Sequence, residues 1–354
     1  MEKLKLNEAP VRTARNFNIN NIKLENIEIP QNIQEFENVE ITGETSKINI
    51  EKNNTNIELT YGLNESFTKQ VKEHSNKRLK LIVNDKSEKE TQIKFEFDNK
   101  NIHLIDDIEI IAKENTKSTI ILKYIANKDI QAFHNGIIRV KAEQNSTINV
   151  IIVNLLNTIS NNFMSIENTI ETNAKINYNI VDFGGKNSIT NYYSNLLGEA
   201  SDNNLSTIYL GKENQLFDIN YIGELRGIKS NINIEVQGAL KDNSTKHFKG
   251  TIDFKKGCKK ATGNENEACM LLSNKAKSLS LPMLLCSEEE VEGNHSSSAG
   301  KIGEKELFYI MSRGFELKEA MKLMVRAKFN KILENIQNEE LKQQILDEID
   351  KRLD

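Results

Sequence analysis

A polar step built on asparagine recurs at a nearly fixed interval through the middle of this 354-residue chain. Each step precedes an alternation of apolar and polar residues, and the four steps begin at Asn115, Asn145, Asn173 and Asn203. Their spacings are 30, 28 and 30 residues. Such a period is typical of stacked coils, because each coil can bury its apolar face only against its neighbours. The repeat therefore predicts a β-helix or a similar β-solenoid.

Short β-branched runs bounded by polar turns occupy the same region, which is the pattern of strands. The clearest lie at 120–124, 137–140, 148–153, 176–180 and 232–236. No amphipathic helix of normal length fits between them, so a doubly wound βαβ sheet is disfavoured. A β-sandwich remains the alternative from the pattern alone.

The pattern divides the chain into three regions. Residues 1–100 are expected to hold an irregular leader and a mixed α/β part, with a short helix near 66–76. Residues 101–300 should form the β-helix core, and residues 301–354 a helical domain. The expected fold class is mainly β, with an irregular N-terminal region and a C-terminal α-helical segment.

Three helices are expected at the C-terminus. The first, over 304–313, should end at Gly314, because glycine adopts the left-handed conformation cheaply. The second, over 317–334, and the third carry apolar stripes at helical spacing. The stripes are Ala320, Leu323, Met324 and Ala327, then Leu341, Ile345, Ile349 and Leu353. Because the open ends of a solenoid need cover, we expect one face of these helices to cap or pack on the solenoid and another face to dock a partner.

Composition excludes several classes of function. The formal net charge is −4 and the charges are mixed in sign, so we expect no nucleic-acid partner. No window approaches the roughly 18 apolar residues of a membrane span, and Met1–Pro10 is not a signal peptide, so we expect no membrane partner and a cytoplasmic location. Three cysteines without a CxxC pair make a poor disulfide or zinc framework.

The segment Leu281–Gly314 joins an apolar run, an acidic triplet, a lone histidine and a helix that stops at Ser-Arg-Gly. It resembles the C-terminal motif of the SufB/SufD family of iron–sulfur cluster assembly proteins. The matching residues are Pro282, Glu290, Val291, His295, Gly300, Glu306, Leu307, Phe308, Tyr309, Ser312, Arg313 and Gly314. Asp242–Gly257 also resembles the family, through Asp242, Ser244, Phe248, Gly250 and Gly257. Glu8–Thr13 resembles the family's N-terminal motif, with Phe17 in place of the aromatic segment that follows.

The resemblance implies a right-handed β-helix and gives His295 a role. In SufD-type chains a histidine at this place lies at the interface with a SufB-type partner and is implicated in cluster assembly. An imidazole there could ligate iron or move a proton. Glu290, in the run Glu288–Glu290, could attract iron, although from the residues alone a solvated edge that discourages aggregation is the ordinary interpretation of that run.

Departures from the family pattern favour the SufD-type assignment. Scaffold SufB-type chains carry a reactive cysteine about fifteen residues before the proline, and Glu267 stands at that position here, with Cys269 two residues further on. Gly293 replaces a cysteine common in SufD-type chains, and Ser296 replaces an acidic residue of SufB-type chains. Cys269 and Cys286 remain candidate metal ligands beside His295, although a buried structural thiol is the ordinary interpretation of each.

The resemblance thus implies a SufD-type subunit that pairs with a SufB-type scaffold, or with itself, and binds a SufC-type ABC ATPase through its C-terminal helices. The candidate docking residues are Phe308, Tyr309, Arg313, Leu323, Arg326 and Phe329. Iron or a nascent cluster would be held transiently at the partner interface, with no tightly bound cofactor in the isolated chain. The chain has no phosphate-binding loop of the P-loop type, so we expect no enzymatic activity of its own.

Two other functions remain open. A self-sufficient homodimeric scaffold could hold a cluster with Cys258, Cys269 or Cys286. A carbohydrate-active β-helix enzyme would need paired acids along a groove, commonly with tryptophan for stacking, and the chain contains no tryptophan.

Overall fold

The structure is a computed structural model that describes residues 4–13, 18–31, 33–51, 57–126 and 130–354. Phe17, which the sequence places after the N-terminal motif, lies outside these residues. No helix in the described part of the chain has the length and apolar character needed to cross a membrane.

The elements follow in chain order. The N-terminal ones are β1 (Leu4–Leu6), β2 (Ile22–Leu24), β3 (Val39–Gly43), β4 (Ile48–Glu51) and α1 (Glu65–His74). The strands of the central region are β5 (Lys77–Val83), β6 (Thr91–Phe97), β7 (His103–Ala112), β8 (Lys117–Ala126), β9 (Phe133–Ala142), β10 (Thr147–Leu155), β11 (Asn161–Ile170), β12 (Lys175–Asp182), β13 (Asn187–Leu196), β14 (Asp202–Gly211), β15 (Leu216–Leu225), β16 (Asn231–Leu240), β17 (Thr245–Phe254), β18 (Ala261–Leu271), β19 (Lys277–Cys286) and β20 (Val291–Lys301). The C-terminal helices are α2 (Glu304–Ser312), α3 (Leu317–Leu333) and α4 (Glu339–Leu353).

The central strands wind into a β-solenoid of about 8 turns, which confirms the fold expected from the repeat. From β5 onward each strand pairs in parallel with the strand two places later, so odd-numbered strands form one sheet and even-numbered strands the other. Two consecutive strands therefore make one turn. The parallel ladder begins at Lys77, so the solenoid includes residues assigned above to the N-terminal mixed region, and it ends at Lys301.

The repeated asparagines mostly form corners of the solenoid. Asn115, Asn145 and Asn173 have φ values of 61°, 59° and 54°, in the left-handed region that asparagine tolerates better than most residues. The fourth one differs. Asn203 is buried within β14, where it accepts from the Tyr192 hydroxyl, and the corresponding corner residue is Ala200 at φ 52°. The structure therefore repeats with the expected period, but the fourth asparagine is buried in the core and does not form a corner.

The lumen between the two sheets holds the main core, because alternate side chains of every strand point inward. Five tyrosine rings are fully buried there together with many aliphatic side chains; they are Tyr124, Tyr178, Tyr192, Tyr209 and Tyr221. Burying a large apolar side chain stabilises the fold by about 1.5 to 3 kcal/mol. Stacking turn on turn therefore supplies most of the stability of the solenoid.

The outer faces of the sheets are covered by the two ends of the chain. On the odd-numbered sheet, Leu6, Leu24 and Phe67 pack with Phe133 and Phe163. On the even-numbered sheet, a second cluster joins α3 and α4 to the strands; its members include Val153, Phe183, Leu210, Val325, Phe329, Ile345 and Ile349.

Helices α3 and α4 therefore pack along a sheet face of the solenoid, which is one of the two arrangements expected, and do not cover an end. The predicted stripe of α4 is buried in full, at Leu341, Ile345, Ile349 and Leu353. In α3 only Ala320 of the predicted stripe is buried, and the contact face is formed by Val325, Phe329, Ile332 and Leu333. The stripe in α3 was placed wrongly because apolar residues surround this helix on more than one side.

The two ends of the solenoid are built differently. At the N-terminal end, β3 and β4 close the two sheets by antiparallel pairing with β6 and β5. Phe36 is completely buried beside them, 5.2 Å from the Phe97 ring. At the C-terminal end, β19 and β20 are the last strands of their sheets, and no described strand pairs with their outer edges.

Candidate functional site at the open end

Along the even-numbered sheet, the inward face of the lumen changes in character over the last turns. In β16 its inward positions are aliphatic, and the same register positions carry glycine or polar residues in β18 and β20. The successive sets are Ile232, Ile234 and Val236, then Gly263, Glu265 and Glu267, then Gly293, His295 and Ser297. Side chains directly across a parallel pair point to the same face. The open end is therefore a polar mouth, which we define by Lys246, Glu265, Glu267, Ser280, His295 and Ser297.

Glu267 is the centre of a hydrogen-bond network that joins β18 to four other strands. Its carboxylate accepts from Lys246 Nζ at 2.7 Å, Ser297 Oγ at 2.8 Å, Ser280 Oγ at 3.0 Å and the Tyr209 hydroxyl at 3.3 Å. The Lys246 and Glu267 side chains are both inaccessible to solvent. A buried ion pair is tolerable when further hydrogen bonds satisfy it, as they do here.

A glycine makes the contact with Tyr209 possible. Tyr209 lies in β14, and the next turn carries Gly238 in register with it. A Cβ atom at Gly238 would lie 1.8 Å from the tyrosine ring. The ring therefore passes through space that any other residue would fill, and its hydroxyl reaches Glu267.

Glu265 is buried without a partner, in contrast to Glu267. It is only 2% exposed, and neither carboxylate oxygen has a hydrogen-bond donor among the described residues. Burial, with a smaller contribution from the charge of Glu267, raises the pKa of Glu265 to about 8. The carboxylate lies over Gly250, where an added Cβ would be 2.0 Å from Oε2.

His295 lies in β20, directly across the parallel ladder from Glu265, and it is exposed at the rim of the mouth. The structure thus brings together three residues singled out in the sequence: His295 and Glu267, with Cys269 on the same inward face of β18. Cys269 is 4% exposed, and burial raises the pKa of its thiol.

Glu290 and Cys286 lie outside the lumen, at the corner between β19 and β20. Glu290 is exposed, and its backbone carbonyl accepts from the Lys260 amide. The exposed Cys286 thiol donates to the Glu288 carbonyl at 2.9 Å. All three cysteines are free thiols, and burial raises the pKa of the third, Cys258. No group of three or more His, Cys, Asp or Glu among the described residues is arranged to hold a metal ion.

Sequence reasoning missed Glu265 and Lys246, which are central to the mouth. The available signal was a charged residue at a position where the previous turns carry an aliphatic one, as at Ile234 and Glu265. That signal could be used only with the register of the strands in hand. The ion pair of Lys246 has no sequence signal, because its partner lies 21 residues away in the other sheet.

The predicted docking residues fall into two groups. Phe308 and Tyr309 in α2 are 74% and 58% exposed, and Leu323 in α3 is 41% exposed. Arg313 lies over the Tyr309 ring at 5.1 Å. We use the name helical patch for the exposed large apolar side chains of α2, the turn after it and the first half of α3, which are Phe308, Tyr309, Met311, Phe315, Leu317 and Leu323.

The remaining two candidates serve the internal packing of the helices. Phe329 is completely buried and stacks with Phe183 at 6.2 Å, so it is not accessible for docking in this structure. Arg326 is partly buried, and its Nε donates to Asp350 Oδ1 at 2.8 Å, which links α3 to α4. Which residues of α3 are available for docking depends on which face of the helix packs against the sheet. Sequence periodicity alone did not identify that face.

A family model described as "SUF system FeS cluster assembly, SufBD core domain" matches residues 95–328, which is more than half of the chain. The SufD protein of Bacillus subtilis is 23% identical over 256 residues, which cover 71% of this chain and 58% of that protein. The SufD protein of Escherichia coli is 22% identical over 241 residues, 68% of this chain and 57% of that protein.

A SufBD family protein of Pyrococcus horikoshii is 32% identical over 174 residues, 46% of this chain and 36% of that protein. The chain thus spans less than two thirds of the length of each of these curated relatives. The matched domain covers the β-solenoid from β7 through the mouth and into α3. The chain therefore belongs to the SufB/SufD family of the SUF system for iron–sulfur cluster assembly, and two of the relatives it resembles are SufD proteins.

Proposed function

We propose that this chain is the SufD-type subunit of a cytoplasmic complex in which it pairs with a SufB-type scaffold through the mouth and binds a SufC-type ATPase through the helical patch. Its role is to help acquire iron and assemble a nascent cluster, which is cargo and not a resident cofactor. The observation that carries the proposal is the open end of the solenoid, where two unpaired strand edges surround a polar lumen with His295 at its rim.

The open strand edges support a protein partner at this end. A solenoid that leaves β19 and β20 uncovered presents unpaired backbone donors and acceptors along two strands. Proteins usually shield such edges, because they recruit other strands. Pairing with strands of a second chain would satisfy these groups, as in β-strand addition. A partner that itself ends in an open β-solenoid has the matching geometry.

The polar mouth supports a role in handling iron. Imidazole and carboxylate groups are ligands that suit iron, and His295 is exposed where a partner would dock. The thiols are less suitable. Burial raises the pKa of Cys258 and of Cys269, and this disfavours the thiolate form that ligates metals. The self-sufficient scaffold built on these cysteines is therefore the weaker candidate.

The helical patch supports a second partner. Exposed large apolar side chains grouped on one surface commonly mark an interface, and α2 places two aromatic ones, Phe308 and Tyr309, beside Arg313. Because the sequence has no P-loop, ATP hydrolysis in the complex is assigned to the ATPase subunit. The proposal gives this chain no reaction of its own.

The proposal for the mouth is tested with His295→Ala. We expect the variant to pair with the SufB-type chain as wild type does, but to lower the iron and cluster content of the purified complex. Glu292→Gln is the matched control, because Glu292 lies on β20 but points away from the lumen. Wild-type cluster content in His295→Ala would refute the role of this residue.

The role of the thiols is tested by replacing Cys258, Cys269 and Cys286 together with serine. We expect a smaller loss of cluster content than in His295→Ala, apart from any loss of stability caused by the two buried positions. A visible-absorbing cluster on the wild-type chain expressed alone, lost in a folded single-cysteine variant, would favour the homodimeric scaffold instead.

The docking of the ATPase is tested with Phe308→Ala. Aromatic anchors at interfaces commonly contribute about 2 kcal/mol or more to binding, so the affinity for the SufC-type chain should fall by more than about tenfold. Leu197→Ala is the control, because Leu197 is 52% exposed but lies on a corner of the solenoid. Deleting residues 315–354 is a poorer test, because it would also expose the apolar face beneath α3 and α4.

A further inference from the structure

The unpartnered carboxylate of Glu265 identifies a ligand site inside the lumen. We propose that Glu265 and His295 together bind a divalent cation, held within the solenoid between its last two even-numbered strands. The identification of this cation as ferrous iron rests on the proposed function, whereas the existence of the site rests on the geometry of the mouth alone.

Two neighbouring acids on one face of β18 differ in the hydrogen-bond donors that reach them. Glu267 has four donors, including the buried ammonium group of Lys246. Glu265 is equally buried, and no donor reaches either of its oxygens among the described residues. A buried carboxylate without a partner is costly. Its presence at an open mouth is explained if its partner is a ligand from outside the chain.

The carboxylate of Glu265 occupies space that a glycine leaves free. Gly250 faces Glu265 across the lumen, and a Cβ atom there would lie 2.0 Å from one oxygen and 2.6 Å from the other. Both oxygens thus occupy a volume that is open only because residue 250 has no side chain. The chain has room for this carboxylate but supplies no donor for it.

The strand register places His295 beside Glu265. Neighbouring strands in a sheet lie about 4.8 Å apart, and His295 is directly across the ladder from Glu265 on the same face. Ligand nitrogen and oxygen atoms lie about 2.0 to 2.2 Å from a bound first-row metal ion such as zinc. One ion between the two strands can therefore be reached from both side chains.

The two donor types fit a divalent transition metal ion, because imidazole and carboxylate together form the ligand sets of non-haem iron sites. The set within the chain is incomplete, since no group of three or more potential metal ligands is found among the described residues. Solvent and a chain docked on the edges of β19 and β20 would complete it. The isolated chain should therefore bind the ion reversibly, and the complex should bind it more tightly.

The test is anaerobic calorimetry with ferrous iron and the full-length chain, alone and in complex with its SufB-type partner. We expect Glu265→Gln and His295→Ala each to weaken binding by about tenfold or more. Glu292→Gln should leave binding unchanged, because that carboxylate is on the opposite face of β20. Gly250→Ala should weaken binding as Glu265→Gln does, since the added methyl group displaces the carboxylate.

The outcomes separate this site from the proposed function. Wild-type affinity in a folded Glu265→Gln variant would overturn the lumen site, even if His295→Ala still lowered cluster content. Loss of iron binding in Glu265→Gln would support the site even if the chain failed to co-purify with a SufB-type partner, a failure that would count against the proposed function alone. If Glu265→Gln abolished association with the partner but left iron binding unchanged, the partner of the carboxylate would be a protein cation and the metal site would be refuted.

Discussion

The two ends of the solenoid face the same physical problem and differ in how they meet it. Each end exposes the edges of two sheets and the interior of the lumen. At the N-terminal end, antiparallel β3 and β4 cover the edges and Phe36 fills the interior. At the C-terminal end, no strand in the described part of the chain covers β19 and β20, and the interior carries Glu265 and Glu267. This difference supports the proposal that the open end is a partner interface, because β3, β4 and Phe36 show that the chain can close an end.

The polar end is also costly to build. Charged groups take the places of the aliphatic side chains that stabilise earlier turns, and a buried ion pair seldom stabilises more than a well-packed apolar pair would. The apolar side chains of α3 pack on the outer face of a sheet, and Phe308 and Tyr309 of α2 are exposed to solvent. The polar open end therefore contributes less to the stability of the fold than an apolar end would.

The largest loss of stability is expected from a substitution in the core of the closed end. Phe36→Ala removes a fully buried ring from between Phe95 and Phe97 and should lower the free energy of unfolding by about 3 to 5 kcal/mol. Leu279→Ala at the open end, where the side chain is 39% exposed, should cost less than about 1 kcal/mol. Chemical denaturation measures both. Equal losses at the two ends would contradict the contrast drawn between them.

A comparable effect is expected in the polar mouth when its ion pair is broken on one side. Lys246→Met leaves the buried charge of Glu267 without its counterion, a change that typically costs about 3 to 5 kcal/mol. Adding Glu267→Gln should recover much of the loss, because the remaining hydroxyl donors can bond a neutral amide. The double-mutant cycle measures this coupling. Additive losses would show that the pair is not coupled as the structure indicates.

The stacked coils and part of the mouth could be predicted from the sequence, whereas the difference between the two ends could not, and the reasons are physical. The period of the asparagine steps indicated stacked coils, because left-handed corners recur once per turn, as at Asn115 and Asn145. His295 and Glu267 were identified by their resemblance to a family pattern. Glu265 and Lys246 were not, because only the strand register shows which residues share the lumen. The position of α3 was also missed, since its composition allows more than one buried face, and Phe329 lies on the covered one.

A smaller effect on stability, which depends on pH, is expected at Asp182 in the middle of the lumen, away from the mouth. Burial raises the pKa of Asp182 from its ordinary 3.8 to about 6, although Ser188 and Asn154 donate to its carboxylate. A raised folded pKa favours the fold at low pH, so this contribution is fully present below about pH 4 and is lost as the pH rises through about 6. It amounts to at most about 3 kcal/mol, from a shift of roughly two units.

The corresponding experiment compares thermal unfolding of wild type and Asp182→Asn between about pH 4 and pH 7. The stability of the wild type relative to the variant should decline across this range, because asparagine does not titrate. A constant difference between the two proteins would show that Asp182 has the same pKa in the folded and unfolded states.

The claim that the open end is the partner interface is tested most directly by hydrogen–deuterium exchange of the full-length chain, alone and with a SufB-type chain. We expect new protection of backbone amides in β19 and β20, residues 277–286 and 291–301, because their unpaired edges would then be bonded to the partner. The closed end, at residues 39–43 and 48–51, should show no change. Protection at the closed end, or unchanged exchange in β19 and β20 within a stable complex, would contradict the account.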